Sequence, residues 1–261
     1  MFKLPKKVHD RIISNLKTYQ QVAASHKSRD VSEADTVTLV KDMLAYVFGY
    51  DKYEELTSEQ QIRCTYCDLA VKIEGKIKYL IEVKAAGIEL NDNHLRQALN
   101  YGANQGIEWV VLTNSIDWRL YRIKFGQPID FEEVSSFCVL SVNLKNEDDL
   151  RKMFLLCREG LSTDAMGIYH QHTQLLNKFT IAQVVQSEPV VTMIRRELRR
   201  IFPELKVDQE QISDILKNDV LKREVIEGDK VKETQAKIKK VTAKLAKLSE
   251  KNNQKKAECA E

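Results

Sequence analysis

Residues 67–87, CDLAVKIEGKIKYLIEVKAAG, contain two apolar β-strand patterns that also carry charged side chains. The patterns flank a turn at residues 74–75, so they predict a hairpin. Asp68, Glu82 and Lys84 lie inside the predicted strands, and burying one unpaired charge costs several kcal/mol. These three groups must therefore pair with one another or serve a chemical purpose.

Each predicted strand has one apolar face and one face that carries an acid. Successive side chains of a strand point to opposite sides, so Glu82 and Lys84 share a face while Ile81 lies on the other. By the same rule, Asp68 and Leu69 lie on opposite faces of the first strand. The apolar faces are expected to anchor a sheet, which leaves the acids on its other side.

Whether the two acids meet depends on the register of the hairpin. A two-residue turn pairs Ile73 with Lys76 and places Asp68 and Glu82 on opposite faces. A three-residue loop, 74–76, sets the two acids directly across from each other. If the acids act together, we predict a loop with an odd number of residues or a β-bulge in the hairpin.

Two facing carboxylates with a lysine beside them suit metal-assisted chemistry on phosphate. Carboxylates about 5 Å apart raise each other's pKa unless a cation lies between them. Mg²⁺ is held by one or two carboxylates, with waters and substrate phosphate completing its shell. Lys84 would then position a water or stabilise charge on phosphate, which predicts phosphodiester hydrolysis with Mg²⁺ or, as a substitute, Mn²⁺. A structural ion pair at a strand end is the alternative.

The order of helix and strand patterns around the hairpin predicts an α/β fold, a mixed sheet flanked by helices. A helix from 32 to 48 is well marked, because Ser32 is a suitable N-cap and Gly49 follows its end. The hairpin strands are expected at about 61–73 and 76–84. Further strands are predicted at 108–114, 118–125 and 136–144, and further helices at 6–24, 93–104 and 147–157.

The charged residues of the hairpin resemble the PD-(D/E)xK nuclease motif. Asp68 corresponds to the first acid and Glu82-Val83-Lys84 to the second acid, spacer and lysine. Cys67 stands where the family usually has Pro, which is the variable position of the motif.

Other stretches extend the resemblance. Gln97 and Tyr101, four residues apart on the next predicted helix, resemble the Gln-xxx-Tyr element of one branch of this superfamily. Glu33 fits the acid often found on the first core helix. Residues 30–125, with SEADT, GYD, CDLAV, IEVK and VVLTNSIDWRLY in this order, are similar to the N-terminal nuclease domain of type I restriction enzyme R subunits.

That resemblance implies a restriction-endonuclease-like fold with a metal site. Asp68 and Glu82 would bind the metal, and the Val83 carbonyl would add a ligand. Glu33 would contact the metal directly or through water, with Asp35 as the substitute for that role. Serving the helix dipole is the alternative for both acids of this helical turn.

The resemblance also implies roles for three catalytic side chains. Lys84 would assist the attacking water, while Gln97 and Tyr101 would orient the substrate or Lys84. The sequence has no GxxxxGK[ST] phosphate-binding loop, so the DNA translocation of restriction motor subunits is not implied.

Three regions are predicted along the chain: a nuclease-like domain at 1–158, a helical module at 168–228, and a lysine-rich helix at 229–261. The last region is interpreted as either a short coiled coil or a disordered tail, and the C-terminal helices as a contact for a second copy or a partner protein. Candidate phosphate contacts in the helical module are Arg195, Arg196, Arg199 and Arg200.

Two residue pairs that resemble chemical motifs are interpreted as structural. Cys64 and Cys67 form one CxxC with no second pair, so we expect small strand residues instead of a zinc site. His170 and His172 lie two residues apart, on different faces of a helix, so we expect ordinary surface residues.

The sequence thus predicts a metal-dependent nuclease that acts on DNA in a restriction or host-defence role. The alternative is a non-cutting nucleic-acid-binding or assembly module that retains the fold. No run of the chain approaches the about 20 apolar residues of a membrane span, so a soluble, cytoplasmic protein is expected.

Overall fold

The structure, a computed structural model, describes residues 4–58 and 67–258, with side chains up to residue 243. The chain divides into two compact units, Met1–His170 and Gln171–Glu261. None of the helices in the described ranges combines the length and apolar composition that crossing a membrane requires.

The first unit contains a six-stranded mixed sheet in which the strands lie side by side in chain order. All neighbouring strands are antiparallel except the central pair, β3 and β4, which is parallel. The strands are β1 Leu56–Ser58, β2 Leu69–Ile73, β3 Lys76–Val83, β4 Trp109–Thr113, β5 Asp117–Lys124 and β6 Asp130–Cys138. The predicted α/β class with a mixed sheet is confirmed, whereas the predicted strand residues 61–66 lie outside the described ranges.

Helices flank this sheet. The crossover between the parallel strands β3 and β4 contains helix α3, as such a connection requires. In the first unit they are α1 Lys6–Arg29, α2 Glu33–Tyr46, α3 Arg96–Gln105, α4 Glu147–Leu155, α5 Arg158–Ser162 and α6 Ala165–Leu175, the last of which runs into the second unit.

The start of α2 is fixed as predicted. The Ser32 hydroxyl accepts the backbone N–H of Asp35 at 3.2 Å, which satisfies one of the free donors at the helix start. Gly49, at φ +88°, lets the chain turn away just after the helix.

Two apolar cores lie on opposite faces of the sheet. The larger core contains Ile81 and Val83 together with residues of α1, α2 and α4. The smaller core contains Leu80 and Ala70 and is covered by α3. The alternation predicted for the hairpin strands is therefore confirmed, and Glu82, between Ile81 and Val83, belongs to the face of α3.

The β2–β3 hairpin has a two-residue turn and a β-bulge. Glu74 and Gly75 both have positive φ, at 50° and 78°, the combination found in tight hairpin turns. Ile73 pairs with Lys76, but the register shifts between Val71 and Lys72, so that one residue of β3 has no partner in β2.

The residue without a partner is Lys78. Beyond it the two strands resume pairing with the opposite parity, and Leu69 faces Ile81. Continuing that register by one residue places Asp68 opposite Glu82. Of the two predicted alternatives, an odd loop and a β-bulge, the bulge is confirmed.

The prediction for the last strand is wrong in its position. A strand was expected at 136–144, but β6 spans Asp130–Cys138 and ends where the Val139 N–H donates to the Ile116 carbonyl, at 2.8 Å. The start of β6 is acid-rich, which resembles a loop in sequence. The basic side chains of β5 stabilise it there, since Lys124 lies 3.4 Å from Asp130 and 3.2 Å from Glu132.

The second unit is helical. Its helices are α7 Lys178–Val185, α8 Glu188–Ile201, α9 Gln209–Ile215 and α10 Asp229–Glu258. Val191, Ile212 and Leu216 form a small core. Pro189 lies in the first turn of α8, where its missing N–H leaves no helical hydrogen bond unmade. The side chains of residues 244–258 are outside the described ones, so the short coiled coil stays a prediction.

Candidate active site

The hairpin and the parallel strand pair bring the predicted site residues to one end of the sheet. Asp68 directly precedes β2, and Glu82 and Val83 are the last two residues of β3. Lys84 follows, and its backbone N–H donates to the Thr113 carbonyl at the end of β4, at 2.9 Å. The carboxyl end of β3 is thus held between β2 on one side and β4 on the other.

Short contacts join these residues. The Lys84 Nζ donates to Glu82 Oε1 at 2.7 Å and to the Val83 carbonyl at 3.0 Å. The Val83 N–H donates to Asp68 Oδ2 at 2.6 Å, which fixes the first acid against the last residue of β3. The spacing Asp68 to Glu82-Val83-Lys84, chosen on sequence alone, therefore corresponds to one compact cluster.

Glu33 joins the cluster from a different element. It is the first residue of α2, and its Oε1 lies 3.6 Å from Lys84 Nζ. Asp35, the predicted substitute, accepts the Ser32 hydroxyl at 2.7 Å on its Oδ2. Between the two acids of this helical turn, the structure therefore places Glu33, not Asp35, beside Lys84.

Burial controls the charge of Glu82. Its residue is only 5% exposed, and burial raises the pKa of its carboxyl to about 7, against the hydrogen bond from Lys84 that lowers it. The neighbouring carboxylates of Asp68 and Glu33 raise this pKa further. The lysine thus does not fully offset the cost of burying this acid, and a carboxyl with a pKa near neutral is typical of functional sites.

Lys84 remains an ammonium at neutral pH. Burial lowers the pKa of this amine, but the hydrogen bond to Glu82 and the charges of Glu82, Asp68 and Glu33 outweigh burial and leave the pKa above its ordinary value. The side chain therefore acts as a hydrogen-bond donor and a positive charge, and it cannot accept a proton readily.

The donor set fits a hard divalent cation. Two carboxylates and a backbone carbonyl supply oxygen only, which Mg²⁺ and Mn²⁺ prefer. Among the described side chains, those of residues 4–58 and 67–243, no three or more His, Cys, Asp or Glu are grouped so as to hold a metal. Mg²⁺ needs fewer protein ligands than that, because water and substrate phosphate complete its shell.

The Gln-xxx-Tyr pair lies on α3, the helix that covers the smaller core. Tyr101 is half-buried against this core, on the same side of the sheet as Glu82, whereas Gln97 is exposed. The orienting role expected of both side chains stays a prediction.

The four predicted phosphate-binding arginines of α8 differ in their surroundings. Arg195 is half-buried and its Nε donates to the Val207 carbonyl at 3.0 Å, which indicates a structural tie to the loop after α8. Arg196 and Arg200 lie 3.8 Å and 2.7 Å from Glu197. The exposed members of the set are Arg196, Arg199 and Arg200.

The surface role predicted for His170 is wrong. The residue is 7% exposed, and its imidazole links two strands, with Nε2 at 2.5 Å from Glu132 Oε1 and Nδ1 at 3.0 Å from the Arg122 guanidinium. Arg122 also binds Glu108 through a short ion pair. The spacing of buried residues in α6 (Ala165, Met166, Tyr169 and His170) is helical and could have shown that His170 faces inward.

Cys67 is a structural thiol. It is buried with Sγ within hydrogen-bond distance of the Leu69 and Ile81 carbonyls, at 3.0 and 3.1 Å. Burial raises the pKa of this thiol to about 12, so it is not a thiolate at neutral pH. Cys64 lies outside the described residues.

A comparison with known protein families places this site in context. Residues 15–137 match the family model described as Type I restriction enzyme R protein N terminus. This span holds the described strands apart from the last residue of β6, together with Glu33, Asp68, Glu82 and Lys84, and it covers just under half of the chain. No curated protein and no solved structure matches the chain.

Proposed function

We propose that the first unit is a metal-dependent nuclease domain that hydrolyses phosphodiester bonds in DNA, in a restriction or host-defence role. One observation carries the proposal: the bulge at Lys78 gives the hairpin the register that sets Asp68 opposite Glu82, with Lys84 bonded to Glu82. The match to the restriction enzyme R protein N terminus supports a restriction-like nuclease.

Asp68, Glu82 and the Val83 carbonyl are the residues proposed to hold Mg²⁺, or Mn²⁺ in its place. A bound divalent cation would polarise a phosphoryl oxygen and favour ionisation of a water. Its affinity depends on Glu82, because a carboxyl with a pKa of about 7 is only partly ionised at neutral pH in the absence of a cation.

The positively charged Lys84 ammonium is proposed to stabilise negative charge on the reacting phosphate. Since its amine stays protonated, it would donate to a phosphate oxygen or to the oxygen of the attacking water, and would not remove a proton. Gln97 and Tyr101 are proposed to orient the DNA near this end of the sheet. The exposed arginines of α8 (Arg196, Arg199 and Arg200) and the lysine-rich α10 are proposed to bind its phosphates.

The test is cleavage of supercoiled plasmid and of linear duplex by the full chain, with Mg²⁺, with Mn²⁺ and with EDTA. We expect cleavage with either metal and none with EDTA, and we expect Asp68→Ala and Lys84→Ala each to abolish it. Glu132→Gln is the matched control, because this acid lies on the same sheet outside the site. A folded protein that is inert with both metals on duplex DNA, single-stranded DNA and RNA would contradict the proposal.

A non-cutting nucleic-acid-binding or assembly module is the second candidate, and one observation favours it. Lys84 already satisfies Glu82 and the Val83 carbonyl, as a structural ion pair would. This candidate predicts DNA binding that survives Glu82→Gln and does not respond to Mg²⁺. Removing residues 229–261 would then separate affinity that comes from the lysine-rich helix from affinity that comes from the first unit.

A further inference from the structure

The described contacts of Lys84 include three oxygens that a bound metal would affect differently. Glu82 Oε1 and the Val83 carbonyl lie at 2.7 and 3.0 Å from Nζ and belong to the end of its own strand. Glu33 Oε1 lies at 3.6 Å and belongs to the start of α2. The first two are proposed metal ligands, whereas the third comes from a separate element.

A cation between Asp68 and Glu82 would compete with the Lys84 ammonium. It would take the Glu82 and Val83 oxygens that the ammonium now binds, and two positive charges a few ångströms apart repel each other. Glu33 is the carboxylate among the three contacts that such a cation need not use. Its distance of 3.6 Å exceeds that of a hydrogen bond, so a small movement of either side chain would tighten the pair.

We propose that Glu33 is a positioning residue that retains Lys84 beside the reacting phosphate when the metal is bound, and that it is not a metal ligand. The inference rests on the proposed function. The Glu33 side chain is 46% exposed at the first position of α2, where the helix dipole favours a negative charge, so it is free to follow Lys84.

The same helical turn supplies a matched control. Asp35 is also exposed and acidic, but its carboxylate accepts the Ser32 hydroxyl at 2.7 Å, not Lys84. Asp35→Asn therefore removes an acid from the turn without changing the lysine contact. Glu33→Asp is a second variant, because it keeps the charge but shortens the side chain by one methylene group.

The test uses the full chain and two measurements that need no turnover. The first is the Kd of Mn²⁺ by isothermal titration calorimetry. We expect Glu33→Gln and Asp35→Asn to stay within about threefold of the wild type, and Asp68→Asn to weaken binding by about tenfold or more, as loss of a charged ligand does.

The second measurement is the acetylation rate of Lys84 by acetic anhydride, read by mass spectrometry with and without Mn²⁺. The reference within each sample is Lys52, which lies 2.6 Å from Asp42 outside the site. With Mn²⁺ bound, we expect Lys84 to react at least about threefold faster in Glu33→Gln and Glu33→Asp than in the wild type or Asp35→Asn, since the amine has lost its remaining partner.

The outcomes separate the two proposals. A tenfold loss of Mn²⁺ affinity in Glu33→Gln with normal binding in Asp35→Asn would make Glu33 a ligand and overturn the inference alone. An unchanged acetylation rate of Lys84 in both Glu33 variants would also overturn it. A wild-type chain that binds no Mn²⁺ would overturn the proposed function itself. Where cleavage is observed, Glu33→Gln should lower kcat by about tenfold at unchanged KM.

Discussion

Two clusters of charged side chains lie on the same sheet, and the pKa of the acid in each cluster is shifted in the opposite direction. In the first, Glu82 packs against Lys84 and its pKa is raised to about 7. In the second, Glu132 packs against His170 and Lys124; burial raises its pKa as well, but the two hydrogen bonds outweigh burial and leave it below its ordinary value.

The difference separates a site suited to chemistry from a structural network. Glu132 gains more from its partners than burial costs, so the second cluster stabilises the fold where the strands meet α6. Glu82 remains incompletely compensated, and its oxygens face another acid across the hairpin. An arrangement that raises the pKa of a buried acid next to a second acid favours cation binding.

The largest expected effect is on cleavage. Lys84→Ala should reduce kcat by about a thousandfold, because it removes the positive charge proposed to lie at the phosphate. Arg122→Ala, beside the second cluster, should leave kcat within about threefold of the wild type, since its contacts with Glu108, His170 and the Trp109 ring lie outside the proposed site. Single-turnover cleavage with Mg²⁺ measures both, and equal losses in the two variants would refute the distinction between the clusters.

The register of Asp68 is the next target. Inserting one alanine between Asp68 and Leu69 should keep the hairpin pairs but move Asp68 one residue beyond Glu82 and to the other face, so that Mn²⁺ affinity falls by about a hundredfold or more. The matched control is Lys76→Ala, which keeps the register. Mn²⁺ titration followed by electron paramagnetic resonance measures the affinity, and normal Mn²⁺ binding by a folded insertion variant would show that the register does not build the site.

The raised pKa of Glu82 predicts a pH dependence of metal binding. A proton competes with the cation for this carboxylate, so Mn²⁺ affinity should fall by about tenfold between pH 8 and pH 6. Glu82→Gln should bind Mn²⁺ weakly and with little pH dependence across this range. A wild-type affinity that is flat from pH 8 to pH 6 would contradict the raised pKa.

The two clusters should also change stability in opposite directions with pH. Glu82 has a higher pKa folded (about 7) than its ordinary 4.5, so its contribution to stability is fully present below 4.5 and is lost as pH rises through 7. Glu132 has a lowered pKa, so its contribution is present above 4.5 and is lost as pH falls through its folded value.

Urea unfolding from pH 3 to pH 8 measures both contributions. The wild type should lose up to roughly 2–3 kcal/mol of unfolding free energy as pH rises through the pKa of Glu82, and Glu82→Gln should not show this loss. Glu132→Gln should reduce the loss on the acid side by a smaller amount, because this carboxylate is partly solvated. If Glu82→Gln changes the acid side of the stability profile and Glu132→Gln the alkaline side, the pKa shifts given to the two clusters are wrong.

Much of the site could be predicted because strand alternation is a local rule. The faces of Ile81, Glu82 and Lys84 follow from their order in the chain, and the meeting of Asp68 with Glu82 required a bulge or an odd loop. The position of the bulge could not be predicted. Lys78 is an exposed residue among other lysines, so nothing in its side chain marks it as the one without a partner in β2.

The second cluster could not be predicted because its residues are distant in sequence. His170 and Glu132 are 38 residues apart, and a lone histidine gives no signal of a buried ion pair. The last strand was misplaced for the same reason, because the acids at the start of β6 pair with basic residues of β5, Asp130 with Lys124 and Glu132 with Arg122. Both the buried ion pair and the position of β6 depend on contacts between residues of different elements. The sequence pattern of one strand does not show such contacts.

The most direct test of the central claim is a crystal structure of the full chain soaked in Mn²⁺, with anomalous scattering measured near the manganese edge. We expect one anomalous peak between Asp68 and Glu82, close to the Val83 carbonyl, with Lys84 withdrawn from Glu82 toward Glu33. An ordered site with no anomalous peak and with Lys84 still bonded to Glu82 would contradict it.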